Sequence, residues 1–393
     1  MISNGFSDFG GRTWLNCSHQ GALPDVAVTA VQEAIQWKQS PSEMTTERFV
    51  GVPKRLRNLL AGLIGVEADD VIPANGASYG LHLLANGLPL TAGDEVLVMA
   101  GDFPSNILPW LDLERRGVAV RQLRPRRYVL EADEIEAALT PSTRVLCMSW
   151  VHSFSGFVAD LEAIGRLCRE RGVIFIANTT QGLGARRLDL RSLEVDAIVN
   201  AGWKYLCGPY ATGFCWMRPD LRTSLTYNQA YWQTLFTAEG LAQDELDLHP
   251  PDPADPRRFD ILATANFFNY VPWSAAIELV LDRGPDRIEA HDQALVARLL
   301  DNIDRKHYDI LSPTEPSERS TLVFLSAKDA GRNAEIYRTL AAAGVDIAFR
   351  AGKLRISPHF YNTESDVDRA VEGLERAANG TLDGSSSPSQ GAT

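Results

Sequence analysis

Lys204 stands between Trp203 and Tyr205 in "NAGWKYLCGPYATGF" (residues 200–214), a stretch otherwise apolar, small or turn-forming. Leaving water disfavours the ammonium form of a lysine, so its charge here has two readings. Either the stem lies over the two aromatics with its ammonium in water, or the amine is held neutral as a nucleophile able to form a Schiff base with an aldehyde. Other stretches carry polar chemistry of their own. In "PANGASYGLHLL" (73–84), Gly76, Ala77 and Ser78 precede a helical run, where backbone N–H groups and the helix dipole favour an anion. Phe103, in "GDFPSNILPW" (101–110), is either core or a surface that stacks on a flat ring. Ser153, in "SWVHSFSG", and Asn178 and Gln181, in "IFIANTTQGLG", are either cap and turn residues or hydrogen-bonding groups of a site.

The elements that must position these residues alternate apolar runs with amphipathic stretches, the pattern of βα units and a largely parallel sheet. Residues 94–100, 118–123, 143–150, 172–178 and 195–202 read as strands. Residues 160–172 read as a helix, with Leu161, Ile164, Leu167 and Cys168 at helical spacing and Gly172 as its stop. The polar residues recur just after strands, the edge at which open α/β sheets bind ligands. After the proline-rich "LHPPDPADPRR" (248–258), helices and strands mix in a shorter stretch, as in a smaller α+β domain. Taken in order, a phosphate-binding helix start, a stacking aromatic, polar groups at two strand ends and a shielded lysine are the parts needed to hold pyridoxal phosphate.

The 393-residue chain is long enough for a sizeable core, with 45% hydrophobic and 22% charged residues. A net charge of −12 argues against nucleic-acid or anionic-membrane partners, both of which call for basic surface. No apolar run approaches a membrane span and the first ten residues lack a signal-peptide pattern, which together lead to the expectation of a cytoplasmic protein. Five scattered cysteines with no C-x-x-C read as reduced, buried residues, with no metal site.

The sequence resembles the class V aminotransferase, or cysteine desulfurase, superfamily of pyridoxal-phosphate enzymes of fold type I, including kynureninase-like and isopenicillin N epimerase-like members. The resemblance is carried by "NTTQGLG", by "DLRSLEVDAIVNAGWKYLCGP" and by "LRISPHFYNTESDVDRAVEGL". It implies an α/β fold: a large domain with a mainly parallel seven-stranded sheet flanked by helices, and a smaller C-terminal α+β domain. The implied division is an N-terminal arm (1–25), a large cofactor domain (26–265), a small domain (266–378) and a disordered tail (379–393). By the same resemblance Lys204 carries the cofactor and shuttles the Cα proton. Ala77 and Ser78 bind its phosphate, Phe103 stacks on the pyridine, and Gln181 and Ser153 approach the phenolic oxygen. Asn178 faces the ring nitrogen, and Trp203 stands where relatives have histidine or tyrosine, its indole N–H able to donate to the phosphate. Thr264 matches a residue that reaches the phosphate from the other subunit, which implies a homodimer with shared sites. Arg355 matches the arginine that clamps a substrate α-carboxylate, so the implied partner is a small-molecule substrate, an α-amino acid.

Two departures narrow the chemistry. Between Arg350 and Arg355 there is no cysteine and no room for the loop that carries one in desulfurases, which disfavours persulfide formation. Asn178 replaces the aspartate of most relatives, and a neutral amide cannot stabilise a pyridinium proton by its own charge. Both point to a lyase that discharges Cα charge quickly, with β-elimination from a cysteine S-conjugate as the leading expectation. A decarboxylating or oxidative deaminating enzyme, an epimerase and an aminotransferase are the alternatives. Retention of both Lys204 and Arg355 speaks against a non-catalytic cofactor-binding protein. Tyr227, Tyr231, Trp232 and Phe236 are expected to help shape a side-chain pocket.

Overall fold

The computed structural model describes residues 3–227 and 255–379, together with Tyr231, Trp232, Glu245, His249 and Asp252. Phe236 and the tail from Gly380 onward lie outside these residues. Asn379, placed by the sequence in the tail, is the last residue of the Glu364–Asn379 helix.

A short strand, β1 (Thr13–Trp14), precedes the main sheet. The sheet contains β2 (Val71–Ala74), β3 (Glu95–Met99), β4 (Ala119–Leu123), β5 (Thr143–Ser149), β6 (Ile174–Asn178), β7 (Ala197–Ala201) and β8 (Gly213–Met217). Its order among the described residues is β2-β8-β7-β6-β5-β3-β4. Only β8 runs antiparallel to its neighbours, β2 and β7; the rest are parallel. Strands β2, β3, β7 and β8 are buried along their whole length, which is why they are continuous apolar runs rather than alternating ones. The five strands legible in the sequence lie within two residues of the observed bounds. The sequence reading left out β2 and β8, one short and interrupted by Pro73, the other opening on Gly213.

Helix Leu161–Arg171 is capped as its sequence dictates. Asp160 accepts from the Ala163 N–H at 3.0 Å, and Gly172, at φ 66°, closes the helix in the left-handed region. Its Leu161, Ile164, Leu167 and Cys168 face the core. Trp273 and Ile277 of helix Phe267–Arg283 join the same apolar cluster as Leu97, Leu146 and Phe175 of the large sheet.

The smaller sheet is antiparallel, with β9 (Tyr308–Ile310), β10 (Val323–Ala327), β12 (Ala348–Arg350) and β13 (Lys353–Ile356) in the order β12-β13-β10-β9. Its core brings together Leu325, Leu354, Ile356, Leu340 and Val367, with Leu299 from helix Pro285–Asn302. Between β10 and β12 lies β11 (Val345–Asp346), which pairs in parallel with β1. That pairing draws the N-terminal segment over the smaller domain, where the Cys17 N–H donates to the Ser357 carbonyl at 3.1 Å. Among the described residues no helix is long and apolar enough to cross a membrane.

One buried polar triad joins the smaller domain to the segment carrying Lys204. The Nε2–H of His359 donates to the Tyr205 carbonyl at 2.9 Å, while Nδ1 lies 2.7 Å from Asp292 Oδ2. His359, Asp292 and Tyr205 are each fully buried. Burial raises the Asp292 carboxyl above its usual range, and contact with His359 opposes that shift. Asp292→Ala leaves a buried imidazole nitrogen without a partner and is expected to cost about 3–5 kcal/mol in chemical denaturation. Asp292→Asn, whose amide can accept from or donate to Nδ1, should lose less; equal stability of all three proteins would contradict this role.

Candidate active site

Because β8 is antiparallel to both β2 and β7, the strands β2, β3, β5, β6 and β7 all point the same way, and their carboxyl ends share one edge. Ala77 and Ser78 follow β2, Phe103 follows β3, Ser149 ends β5 with Ser153 and Phe154 beyond it, Asn178 ends β6, and Trp203 and Lys204 follow β7. All of these line one cavity of about 270 Å³, together with Gln181. Ser18, His19 and Gln20 reach it from the N-terminal segment, and Arg350 and Arg355 from the β12–β13 hairpin. Nine of the ten residues singled out in the sequence therefore converge. Thr264 is the exception: it is buried off the cavity, its hydroxyl donating to the Ile261 carbonyl at 2.9 Å.

Close backbone approach holds the lysine in place. The Gly21 N–H donates to the Trp203 carbonyl at 2.9 Å, and a Cβ on Gly21 would stand 1.9 Å from the Lys204 carbonyl oxygen. No other residue type fits at that position. At the anion end, a Cβ on Gly76 would meet the Trp203 ring at 3.1 Å, so the start of helix Ala77–Gly87 lies bare against the indole. The Lys204 ammonium nitrogen lies 5.6 Å from the Phe103 ring centroid. Phe103, 40% exposed, stacks at 6.3 Å on Phe154. It is therefore cavity wall rather than core.

The electrostatics are one-sided. Lys204, His19, Arg350 and Arg355 line the cavity, and no carboxylate does so among the described residues. Burial, reinforced by Arg355 and Arg350, lowers the Lys204 amine to about 7. Lys204 thus lines the cavity with its stem half-buried rather than lying on open surface. Burial also lowers Arg355 to about 10, which leaves it a cation at neutral pH. Arg355 is 4% exposed, its Nη2 donates only a long 3.4 Å bond to Asn16 Oδ1, and its Nε has no partner. A buried guanidinium left in this state is a site for an anion.

Gln181 likewise has an unengaged atom. Its Nε2 donates to the Ser18 carbonyl at 3.2 Å, while Oε1 is buried without a partner. A larger cleft of about 760 Å³ lies elsewhere, over Arg127, Arg186 and Arg187. Its guanidiniums are already paired with Glu131, Glu318, Glu289 and Asp286. It therefore lacks the unpaired charge that marks the smaller cavity.

Residues 23–370 match the family described as Aminotransferase class-V. The chain belongs to this family. It is 26% identical over 338 residues to a probable cysteine desulfurase of Methanothermobacter thermautotrophicus, covering 82% of each chain. It is 24% identical over 377 residues to isopenicillin N epimerase of Amycolatopsis lactamdurans, covering 92% of this chain and 94% of the relative. Among solved structures, a lysine-to-alanine variant of C-DES with glycine covalently linked to its PLP cofactor superposes at a TM-score of 0.85. The two share 20% identity, over 95% of this chain and 98% of that one. The fold is that of the PLP-dependent enzymes of fold type I, and pyridoxal 5′-phosphate is the cofactor.

The residues present suit that cofactor. The bare helix start beside Trp203 and Ser78 fits a phosphate, Phe103 offers a ring face, and Lys204 supplies an amine. All five cysteines of this class-V enzyme are buried, and none lines the cavity. Burial pushes every one of their thiols up. Arg350 and Lys353 pair directly across a two-residue turn formed by Ala351 and Gly352, both at positive φ, so the hairpin holds no further loop. Sequence reading missed Ser18, His19, Gln20, Thr180, Phe154 and Tyr210, whose local patterns carry no signal for a site. Tyr227, Tyr231 and Trp232 do not line the cavity of this chain.

Because the Lys204 amine lies near 7, cofactor capture by the apoprotein should quicken about tenfold from pH 6 to pH 8 and then level off, as the neutral fraction saturates. Arg355→Ala removes a neighbouring cation and should move that midpoint upward. A capture rate that keeps climbing through pH 10, as for an ordinary lysine, would contradict the lowered value.

Proposed function

We propose that the protein is a PLP-dependent lyase that acts at Cα of an α-amino acid, with β-elimination from a cysteine S-conjugate or related bulky amino acid as its reaction. The observation that carries the substrate class is Arg355, a buried guanidinium with no carboxylate partner among the described residues, facing the same cavity as Lys204. A planar guanidinium binds an α-carboxylate through paired hydrogen bonds and thereby sets the direction of the Cα–H bond.

PLP, when bound, supplies an aldehyde for covalent attachment and a ring that receives charge from Cα. The chain does the rest. The N-terminus of helix Ala77–Gly87 and Ser78 hold the phosphate, Phe103 covers a ring face, and Gln181 and Ser153 serve the phenolic oxygen. Trp203 closes the phosphate end, and Asn178 serves the ring nitrogen. Arg355 orients the substrate carboxylate, and Lys204 Nζ, once free, takes the Cα proton. With a good leaving group on Cβ, the C–S bond breaks and the sulfur departs as a thiol. Water then completes the net conversion to thiol, pyruvate and ammonia. The absence of any thiol in the cavity supports elimination over sulfur transfer to the protein.

A homodimer completes the site in this reading. Thr264, off the cavity of its own subunit, reaches the phosphate of the partner. Leu262 and Phe268, close to it in sequence, are 54% and 46% exposed, which supports an apolar contact there.

Incubation with cysteine S-conjugates should release pyruvate, ammonia and thiol in equal amounts. Arg355→Ala should lower kcat/KM by about 2–5 kcal/mol of transition-state binding while the protein keeps its PLP. Exchange of the Cα proton in deuterium oxide without any pyruvate would replace elimination by epimerisation. Unchanged preference of Arg355→Ala for amino acids over the corresponding amines would remove the carboxylate clamp.

A further inference from the structure

Behind the wall made by Ser149 and Asn178 lies a carboxylate that the proposed chemistry does not use. Asp102 is 4% exposed and accepts four hydrogen bonds. Oδ1 accepts from the Phe103 N–H at 2.6 Å and the Ser149 hydroxyl at 2.7 Å. Oδ2 accepts from the Ser149 N–H and from Asn106 Nδ2, both at 2.8 Å. Four donors around two oxygens suit an ionised carboxylate, and none of them is a cation. Its negative charge is therefore solvated entirely by neutral dipoles.

One of those dipoles leads to the cavity. Asn178 Oδ1 accepts from the Thr180 backbone N–H at 3.1 Å, a bond whose direction cannot reverse. That fixes Asn178 Nδ2 as the atom that donates to Asn106 Oδ1, at 2.7 Å. Asn106 must then present Nδ2 to Asp102 and to Ser149 Oγ, the latter at 2.8 Å. A single backbone N–H thus sets the orientation of both amides, which the shape of the side chains alone would leave open. Each amide turns its donor end toward Asp102 and its oxygen away. A buried charge polarises such a chain along its length, which makes Asn178 Oδ1, with a second lone pair free, a stronger acceptor.

We propose that Asp102 is a positioning residue for the cofactor ring: through Asn106 it locks the Asn178 amide and supplies the negative charge that keeps the pyridine nitrogen protonated. The neutral amide of Asn178 is then the visible end of a charged relay. This revises what Asn178 implies when read from its own side chain alone. The groups facing the ring site from the cavity, Lys204, Arg350, Arg355 and His19, are cationic or basic and oppose protonation, so Asp102 is the counterweight. The inference rests on the cofactor assignment and on no particular reaction at Cα, so absence of pyruvate formation would leave it untouched.

The test is ¹⁵N NMR of holoenzyme loaded with ring-¹⁵N PLP, alongside cofactor retention on dialysis. The wild-type resonance should fall at the protonated position at neutral pH. Asp102→Asn and Asn106→Ala should both move it toward the unprotonated position, and Asn178→Asp placed in the Asp102→Asn background should return it. Should Asp102→Asn fail to fold or load, Asn106→Ala decides, since it breaks the relay and leaves the carboxylate in place. An unprotonated wild-type nitrogen, or a resonance that neither single variant moves, would overturn the proposal.

Discussion

Two basic groups, Lys204 and Arg355, face one small cavity in which no described carboxylate answers them. Desolvation and mutual repulsion oppose this arrangement, and both lower the affinity of the lysine for its proton. The rest of the site is built to hold it. Gly21 presses its backbone against the Lys204 carbonyl, the Cys207 N–H donates to that same oxygen at 3.0 Å, and His359 fixes the next carbonyl, that of Tyr205. Arg355 is held within β13, between β10 and β12, where its backbone cannot retreat. Binding of anions relieves what the fold must otherwise sustain, so occupancy stabilises the folded chain as well as enabling chemistry.

The strand edge explains how so many separate segments meet at this pair of charges. Parallel strands deliver their carboxyl ends to one side, and the ends of β2, β3, β5, β6 and β7 with the loops after them each contribute two to four residues. The smaller domain and the N-terminal segment close the opposite side of the cavity through Arg355, Arg350 and Ser18–Gln20. The N-terminal segment joins the two sides: β1 pairs with β11 of the smaller domain, while Gly21 bonds Trp203 and Ser18 accepts from Gln181.

Behind the edge, polar satisfaction is organised with the same economy. The Asp102–Asn106–Asn178 chain runs from a buried carboxylate to a residue that lines the cavity, and the Asp292–His359–Tyr205 chain to the residue after Lys204. In each, a backbone group of fixed polarity sets the direction of the neighbouring side chain: the Thr180 N–H in one, the Tyr205 carbonyl in the other. Rigid groups of this kind limit the rotamers open to the site and hold its acceptors and donors at preset positions.

Local pattern was enough to mark the strands from Glu95 to Ala201, the capped helix after Asp160, and the lysine whose charge stood out among apolar and aromatic neighbours. These signals depend on periodicity and on residues adjacent in the chain, so a sequence displays them directly. The motifs around Asn178, Lys204 and Arg355 added the cofactor by resemblance. What remained hidden depends on contacts between distant segments. Arg355 meets Asn16 across 339 positions, and Gly21 is indispensable only because Lys204 stops against it. The reading of Asn178 shows the difference most clearly. Its neutrality is a property of its side chain and was legible, whereas its attachment to a buried charge passes through Asn106, 72 positions earlier, and only the folded sheet edge brings the two amides together.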